Sequence, residues 1–146
     1  MPVKDTMQVS EIMTDDVRVL SPNDSILKAA CKMRDQDIGS LPVVSGDKPI
    51  GYVTDRDLVV RGLAAGLDPG TSVRQIMSEE LVCCSEEDLV DDAAETMSKH
   101  QVRRLPVLTK DGRLCGIISL GDIATRGSDD AAEEALAEIS APSIEA

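Results

Sequence analysis

Residues 51–58 read GYVTDRDL, and residues 116–123 read GIISLGDI. Each stretch opens on glycine, passes through strand-forming residues (Tyr52-Val53, Ile117-Ile118) and reaches a hydroxyl, Thr54 or Ser119. An acid follows three positions later, Asp57 or Asp122. A hydroxyl and an acid at that spacing mark a helix start. The hydroxyl accepts a first-turn backbone N–H, and the acid reaches back to the N–H of the capping residue. The acid also favours the positive end of the helix dipole. Each stretch therefore predicts a strand that runs straight into a capped helix.

Self-similarity extends well beyond these eight-letter stretches. A shift of about 64 residues lays Val9 on Val73, Ile12-Met13 on Ile76-Met77, Asp24 on Asp88 and Met33 on Met97. It also lays Ala29-Ala30 on Ala93-Ala94 and Leu41-Pro42-Val43 on Leu105-Pro106-Val107. One extra residue near Gly112 then carries Arg61-Gly62 onto Arg126-Gly127. Ordered matches over that span mark one supersecondary unit used twice. The sequence divides into a first repeat at 8–65, a linker at 66–72, a second repeat at 73–127 and an acidic tail at 128–146.

Each repeat reads β-α-β-β-α. A short strand is expected at 17–20 and again at 81–84. A helix follows "SPND" or "SEED", with Ile26, Leu27, Ala30, Cys31 and Met33 at helical spacing in one copy. Leu89, Val90, Ala93, Ala94 and Met97 repeat the pattern in the other. Two strands come next, at 41–44 and 49–53, with their counterparts at 105–108 and 113–118, joined by turns at Gly46-Asp47 and Asp111-Gly112. The closing helices start at Thr54 and Ser119. The fold class is α/β (mixed α+β). Sheets this small do not stand alone. The two repeats are therefore expected to pack about a pseudo-twofold axis, with the closing helices lining a cleft.

Composition narrows the function. The chain of 146 residues carries a net charge of −12 and 1 % aromatic residues, Tyr52 alone. A broad phosphate-neutralising surface is thereby disfavoured, as is an aromatic platform for single strands, so nucleic acid is not the expected partner. Much of the acidity sits in the tail, where Asp129, Asp130, Glu133, Glu134, Glu138 and Glu145 meet no base. Ala132, Leu136 and Ile139 are spaced for a short docked helix or a frayed end. There is no apolar run of membrane-spanning length and no signal-peptide core, so a cytoplasmic protein is expected.

His100 is the single histidine, at a predicted helix end where a cation is favourable. No activated nucleophile, metal cluster or acid–base pair can be named, so an enzyme is not expected. Cys83, Cys84 and Cys115 align with Val19, Leu20 and Ile50, and Cys31 lies on the apolar helix face. They read as small core residues, with a zinc or disulfide role as the alternative.

The hydroxyl–acid pairs have two readings. As caps they need no ligand. As a binding site, the carboxylate would accept both hydroxyls of a ribose, the hydroxyl would take a sugar or phosphate oxygen, and Arg56 would face a phosphate. Paired blocks containing "IGSLPVV…GYVTDRDL" and "VRRLPVL…GIISLGDI" resemble a tandem CBS-domain pair, a Bateman module, over residues 8–127. "TDRDLVVRGLAAGLDP" and "HQVRRLPV" are similar to the stand-alone two-CBS proteins typified by a hypoxic response protein.

That resemblance implies a regulatory module in stress response that senses an adenosine ligand (AMP, ADP, ATP, S-adenosylmethionine or NAD) bound in the cleft between the two repeats. It implies no catalytic cofactor, a homodimer, and an effector protein that receives the signal. It implies one site built from Thr14, Val17, Ile38, Gly39, Leu41, Pro42, Thr54, Arg56 and Asp57. The other would use Ser78, Val82, Val102, Arg103, Arg104, Leu105, Pro106, Ser119 and Asp122. Arg56 in one copy and Arg103-Arg104 in the other would supply the positive charge for a phosphate. The alternative is a nucleotide-independent dimeric interaction protein in which the motifs are only caps.

Overall fold

The computed structural model describes residues 6–126 and 139. The chain forms two compact units. A continuous unit spans Arg18–Leu81, and a split unit joins Met1–Val17 to Val82–Ala146.

In the continuous unit, α1 (Ile26–Gln36) begins where Ser25 Oγ accepts the Lys28 N–H at 3.0 Å. The helix buries Ile26, Ala29 and Met33, which fall on one stripe. It stops at Asp37, whose φ of 53° puts the chain in the left-handed region. Strands β1 (Ser40–Ser45) and β2 (Lys48–Thr54) pair antiparallel, with Leu41 opposite Val53 and Val43 opposite Gly51. Leu41, Val43 and Val53 face the core and are fully buried with Leu20, Val73 and Ile76. The intervening positions Ser40, Pro42, Tyr52 and Thr54 share the opposite face.

The split unit repeats this plan. Helix α3 (Val90–His100) buries Val90, Ala93, Ala94 and Met97, and ends at Gln101 with φ 56°. Its sheet runs β3 (Cys84–Ser85), β4 (Arg104–Leu108), β5 (Leu114–Ser119), with β3 parallel to β4 and β4 antiparallel to β5. Both hairpins carry a bulge at the same repeat position, so Ile50 in β2 and Cys115 in β5 are the extra residues. Helix α4 (Leu120–Arg126) follows β5 directly.

Three differences from the sequence reading have physical causes. The strand expected at 17–20 does not form. Leu20 alone bridges to β1, donating to Pro42 O at 2.9 Å and accepting from the Val44 N–H at 2.8 Å. The strand expected at 81–84 shrinks to Cys84–Ser85 for want of further partners on β4. The first closing helix is α-helical only over α2 (Asp55–Asp57) and widens into a π-helical turn, Leu58–Leu63, after which Ala64 donates to Val59 O. His100 does end its helix. The tail at 128–146 lies outside the described residues save Ile139, which packs against the split unit's core.

The division between the units does not follow the linker at 66–72. The segment leading into each "IM" belongs with the other copy's sheet. Val73 donates to Asp24 O at 2.8 Å, and its equivalent Val9 donates to Asp88 O at 2.8 Å. Glycine is what admits these segments. A Cβ at Gly51 would stand 2.5 Å from Met77 Sδ, and one at Gly116 would stand 2.5 Å from Met13 Sδ. Each repeat thus lends its "IM" to the glycine of its neighbour.

Candidate functional site

Both capping motifs form as the spacing predicts. Thr54 Oγ1 accepts the Asp57 N–H at 3.1 Å, while Asp57 Oδ2 accepts the Thr54 N–H at 2.9 Å. Ser119 Oγ accepts the Asp122 N–H at 3.1 Å, while Asp122 Oδ2 accepts the Ser119 N–H at 3.0 Å. One carboxylate oxygen of each acid is committed to the cap. Asp57 Oδ1 lies 3.9 Å from Arg61 Nη1, which also donates to Ile76 O at 3.1 Å. Asp122 Oδ1 has no hydrogen-bond partner among the described residues.

The distance from "LP" to the motif is constant because the backbone closes on itself there. The Asp55 N–H donates to Gly39 O at 2.8 Å, and the Leu120 N–H donates to Arg103 O at 3.0 Å. The residue that enters the first strand of each hairpin is therefore tied to the start of the helix that leaves the second. A Cβ on Gly39 would stand 3.2 Å from Asp55 Oδ2, so a side chain there would crowd that junction. Arg103 occupies the matching place in the split unit, exposed to solvent, as are Arg104 and Arg56.

Beside each motif the sheet face opposite the core carries a three-residue row, in which Pro42 and Pro106 are buried. In the continuous unit, Pro42 pairs with Tyr52, and Tyr52 exchanges two backbone hydrogen bonds with Ser78, each 2.9 Å. In the split unit, Pro106 pairs with Ile117, and Ile117 exchanges two with Thr14, at 2.8 and 2.9 Å. The next row pairs Ser40 with Thr54 and Arg104 with Ser119.

The continuous unit brings together Ile38, Gly39, Leu41, Pro42, Thr54, Arg56, Asp57 and Ser78. The split unit brings together Thr14, Val17, Val82, Val102, Arg103, Arg104, Leu105, Pro106, Ser119 and Asp122. Relative to the grouping expected from sequence, Thr14 with Val17 and Ser78 have changed places, because the "IM" segments cross over. Leu41 and Leu105 are 0 % exposed and turn their side chains into the two cores, leaving only their backbone for a ligand. Ile38, Val82 and Val102 pack half-buried against the same cores. Val17 is half-buried and lies outside any strand. Tyr52, Ser40, Ile117 and Arg61 were not singled out as site residues from the sequence. The alternation along β2 and β5, read from Thr54 and Ser119 backwards, carries the signal for the two row residues.

Three of the four cysteines are held protonated by their surroundings. Burial pushes the Cys84 thiol up to about 12, helped by Asp88 and the neighbouring thiols. Burial and Glu86 push Cys115 up to about 11; its Sγ donates to Glu86 Oε2 at 3.2 Å. Burial raises Cys83 as well. Thiols held protonated in this way are poor nucleophiles. Among the described residues, no group of three or more His, Cys, Asp or Glu side chains is placed to hold a metal ion.

Residues 9–62 and 73–129 each match the CBS domain. The chain belongs to the CBS-domain family. The CBS domain-containing protein YhcV of Bacillus subtilis is 39 % identical over 93 % of this chain and 97 % of its own. Hypoxic response protein 1 of Mycobacterium tuberculosis is 37 % identical over 78 % of this chain and 80 % of its own. Among solved structures, the CBS pair resembles Hypoxic Response Protein I with two coordinated zinc ions (TM-score 0.75, 35 % identity, 82 % of this chain and 98 % of that one). It also resembles CBSX2 in complex with AMP (TM-score 0.72, 26 % identity, 82 % of this chain and 94 % of that one).

Proposed function

We propose that this CBS pair is a regulatory module that binds an adenosine nucleotide and passes its occupancy to a partner protein, without catalysing a reaction. The observation that carries the reading is the state of the two acids. Each is held by its cap through Oδ2; Asp122 Oδ1 has no partner among the described residues, and Asp57 Oδ1 meets only Arg61, across 3.9 Å. A carboxylate fixed in this way is preorganised to accept the hydroxyls of a ribose. Arg56, beside Asp57, and Arg103-Arg104, beside Ser119, supply positive charge for the phosphate in an otherwise acidic chain. Family membership and the AMP held by CBSX2 support the same ligand class.

Signalling then requires two conformations that bind the nucleotide unequally, since a ligand shifts an equilibrium only by its differential affinity. A homodimer is the natural carrier of that change. Leu27, Val59, Val60 and Leu63 are apolar yet 56 %, 56 %, 47 % and 75 % exposed, all within α1 and the π-helical turn of the continuous unit. The completed caps also favour a second reading, in which the motifs serve the fold alone and the protein interacts without a nucleotide.

One experiment separates them. A thermal-shift panel of AMP, ADP, ATP, S-adenosylmethionine and NAD on the wild-type protein identifies the ligand, and calorimetry on Asp57→Ala and Asp122→Ala tests the role of each acid. Losing a charged hydrogen bond costs about 1.5–3 kcal/mol, so affinity at the affected site should fall about ten- to a hundredfold. A wild-type protein that binds none of the five, with variants that only melt earlier, establishes the cap-only reading.

A further inference from the structure

The two closing helices occupy equivalent places in the repeat, at 55–61 and 120–126, yet their backbones differ. Helix α4 is α-helical from Leu120 to Arg126. Its counterpart is α-helical only over Asp55–Asp57 and then π-helical over Leu58–Leu63. Two bonds close the wider turns. The Ala64 N–H donates to Val59 O at 2.8 Å, and the Leu67 N–H donates to Gly62 O at 3.1 Å, each reaching back five residues. One repeat element thus takes two helical forms within one chain. A π-helical turn amounts to one residue inserted into an α-helix. Resolving it turns the residues at its far end by about 100° and shifts them by about 1.5 Å. Leu63, the most exposed of the large apolar side chains, stands at that far end.

Arg61 sits inside the wide turn and holds it at two points. Its Nη1 donates to Ile76 O at 3.1 Å and lies 3.9 Å from Asp57 Oδ1. The first contact ties the turn to the segment that carries Met77 and Ser78. The second falls on the carboxylate oxygen that the cap leaves over, since Oδ2 accepts the Thr54 N–H. A ribose hydroxyl on Asp57 Oδ1 and the Arg61 guanidinium therefore draw on one oxygen.

We propose that Arg61 is the positioning residue of a helix switch. With its guanidinium on Asp57 and Ile76 it holds the π-helical register; a ribose on Asp57 Oδ1 displaces it, and the helix takes the α register that α4 already shows. This rests on the ribose reading of Asp57 given above and adds how occupancy leaves the site. The trigger and Leu63 lie on the same helix, so a change of register at one end reaches the apolar face at the other. The weakness of the ion pair suits the task. A ligand must overcome whatever holds the opposing state, and an exposed pair taxes its affinity little.

The test reads which carbonyl accepts the Ala64 N–H, by scalar couplings across the hydrogen bond in the labelled full chain, with and without saturating AMP. In the wild type alone the acceptor should be Val59; with AMP it should become Val60, four residues back. Arg61→Met should bond Ala64 to Val60 without AMP. It should also bind AMP up to about fivefold more tightly in calorimetry, because no clamp has to be displaced. An arginine that served the fold alone would move neither the acceptor nor the affinity in this direction. An acceptor that stays at Val59 in the AMP-saturated wild type overturns the proposal, as does one that stays there in Arg61→Met. If AMP binds, Asp57→Ala weakens it and the acceptor still stays at Val59, only the switch falls. If the wild type does not bind AMP and Asp57→Ala merely melts earlier, the ribose reading falls and the switch falls with it.

Discussion

Met77 lies over Gly51 so closely that a methyl group on Gly51 would stand 2.5 Å from its sulfur and 3.0 Å from the carbonyl oxygen of Ser78. The sulfur ends a flexible side chain and can move; the carbonyl belongs to the backbone that bridges to Tyr52. Gly51→Ala should therefore destabilise the protein by about 1–3 kcal/mol, the usual cost of overpacking. Met77→Ala in the same chain should recover only part of this, because the Ser78 carbonyl stays. Chemical denaturation of the single and double variants measures the coupling. A Gly51→Ala protein as stable as wild type would show that the "IM" segment does not seat on this glycine.

The exchange of "IM" segments explains what could and could not be read in advance. The two hairpins and the capped helix starts were legible because each is local. Leu41-Pro42-Val43 and its copy are short apolar runs bounded by turn residues, buried on both faces, and Thr54-x-x-Asp57 is complete within one turn. The repeat shows that Met13 and Met77 are equivalent, yet it cannot show on which glycine each one rests. That pairing is a long-range match between a large side chain and a missing one. The strand at 17–20 failed for a related reason: apolar residues alone do not make a strand when only Leu20 finds backbone partners on β1. The π-helical turn after Asp57 was hidden because "LVVRGL" has no periodicity that distinguishes it from an α-helix.

Arg61 touches both Asp57 and the carbonyl of Ile76, so it joins the helix that opens at Thr54 to the segment that carries Ser78. The ion pair is long, at 3.9 Å, and the arginine side chain is 54 % exposed. Exposed pairs of this kind contribute about 0–1 kcal/mol. Arg61→Met should thus lower stability by less than about 1 kcal/mol, an effect that shrinks further in high salt. Urea denaturation at low and high ionic strength checks both parts. A larger, salt-independent loss would assign the contribution to the Ile76 hydrogen bond instead.

The exposed apolar face of the continuous unit gives a prediction about assembly. Leu63 is the most exposed of its large apolar residues, at 75 %. If this face carries the homodimer, Leu63→Glu should convert the protein to a monomer in light scattering while its circular dichroism stays unchanged. The wild type should dissociate only on dilution. Identical masses for the two proteins would remove this face from the interface.

Alkaline pH should destabilise the protein through its buried thiols, and the sign follows from the direction of their shifts. Cys84 is held protonated up to about 12 in the folded chain, against an ordinary value of 9.0. The folded state therefore binds this proton more tightly than the unfolded state does. The resulting stabilisation is complete below about pH 9 and is lost as pH climbs towards about 12. Cys115 acts in the same direction over a narrower window, to about 11. Replacing Cys84 with alanine removes its titration, so the variant should lose less stability than wild type between about pH 8 and about pH 11, even if it starts lower because a cavity is left behind. Every other side chain is the same in the two proteins, so the difference in slope isolates the thiol. Urea midpoints that fall in parallel for the two proteins across that range would show that Cys84 does not contribute to the alkaline limit.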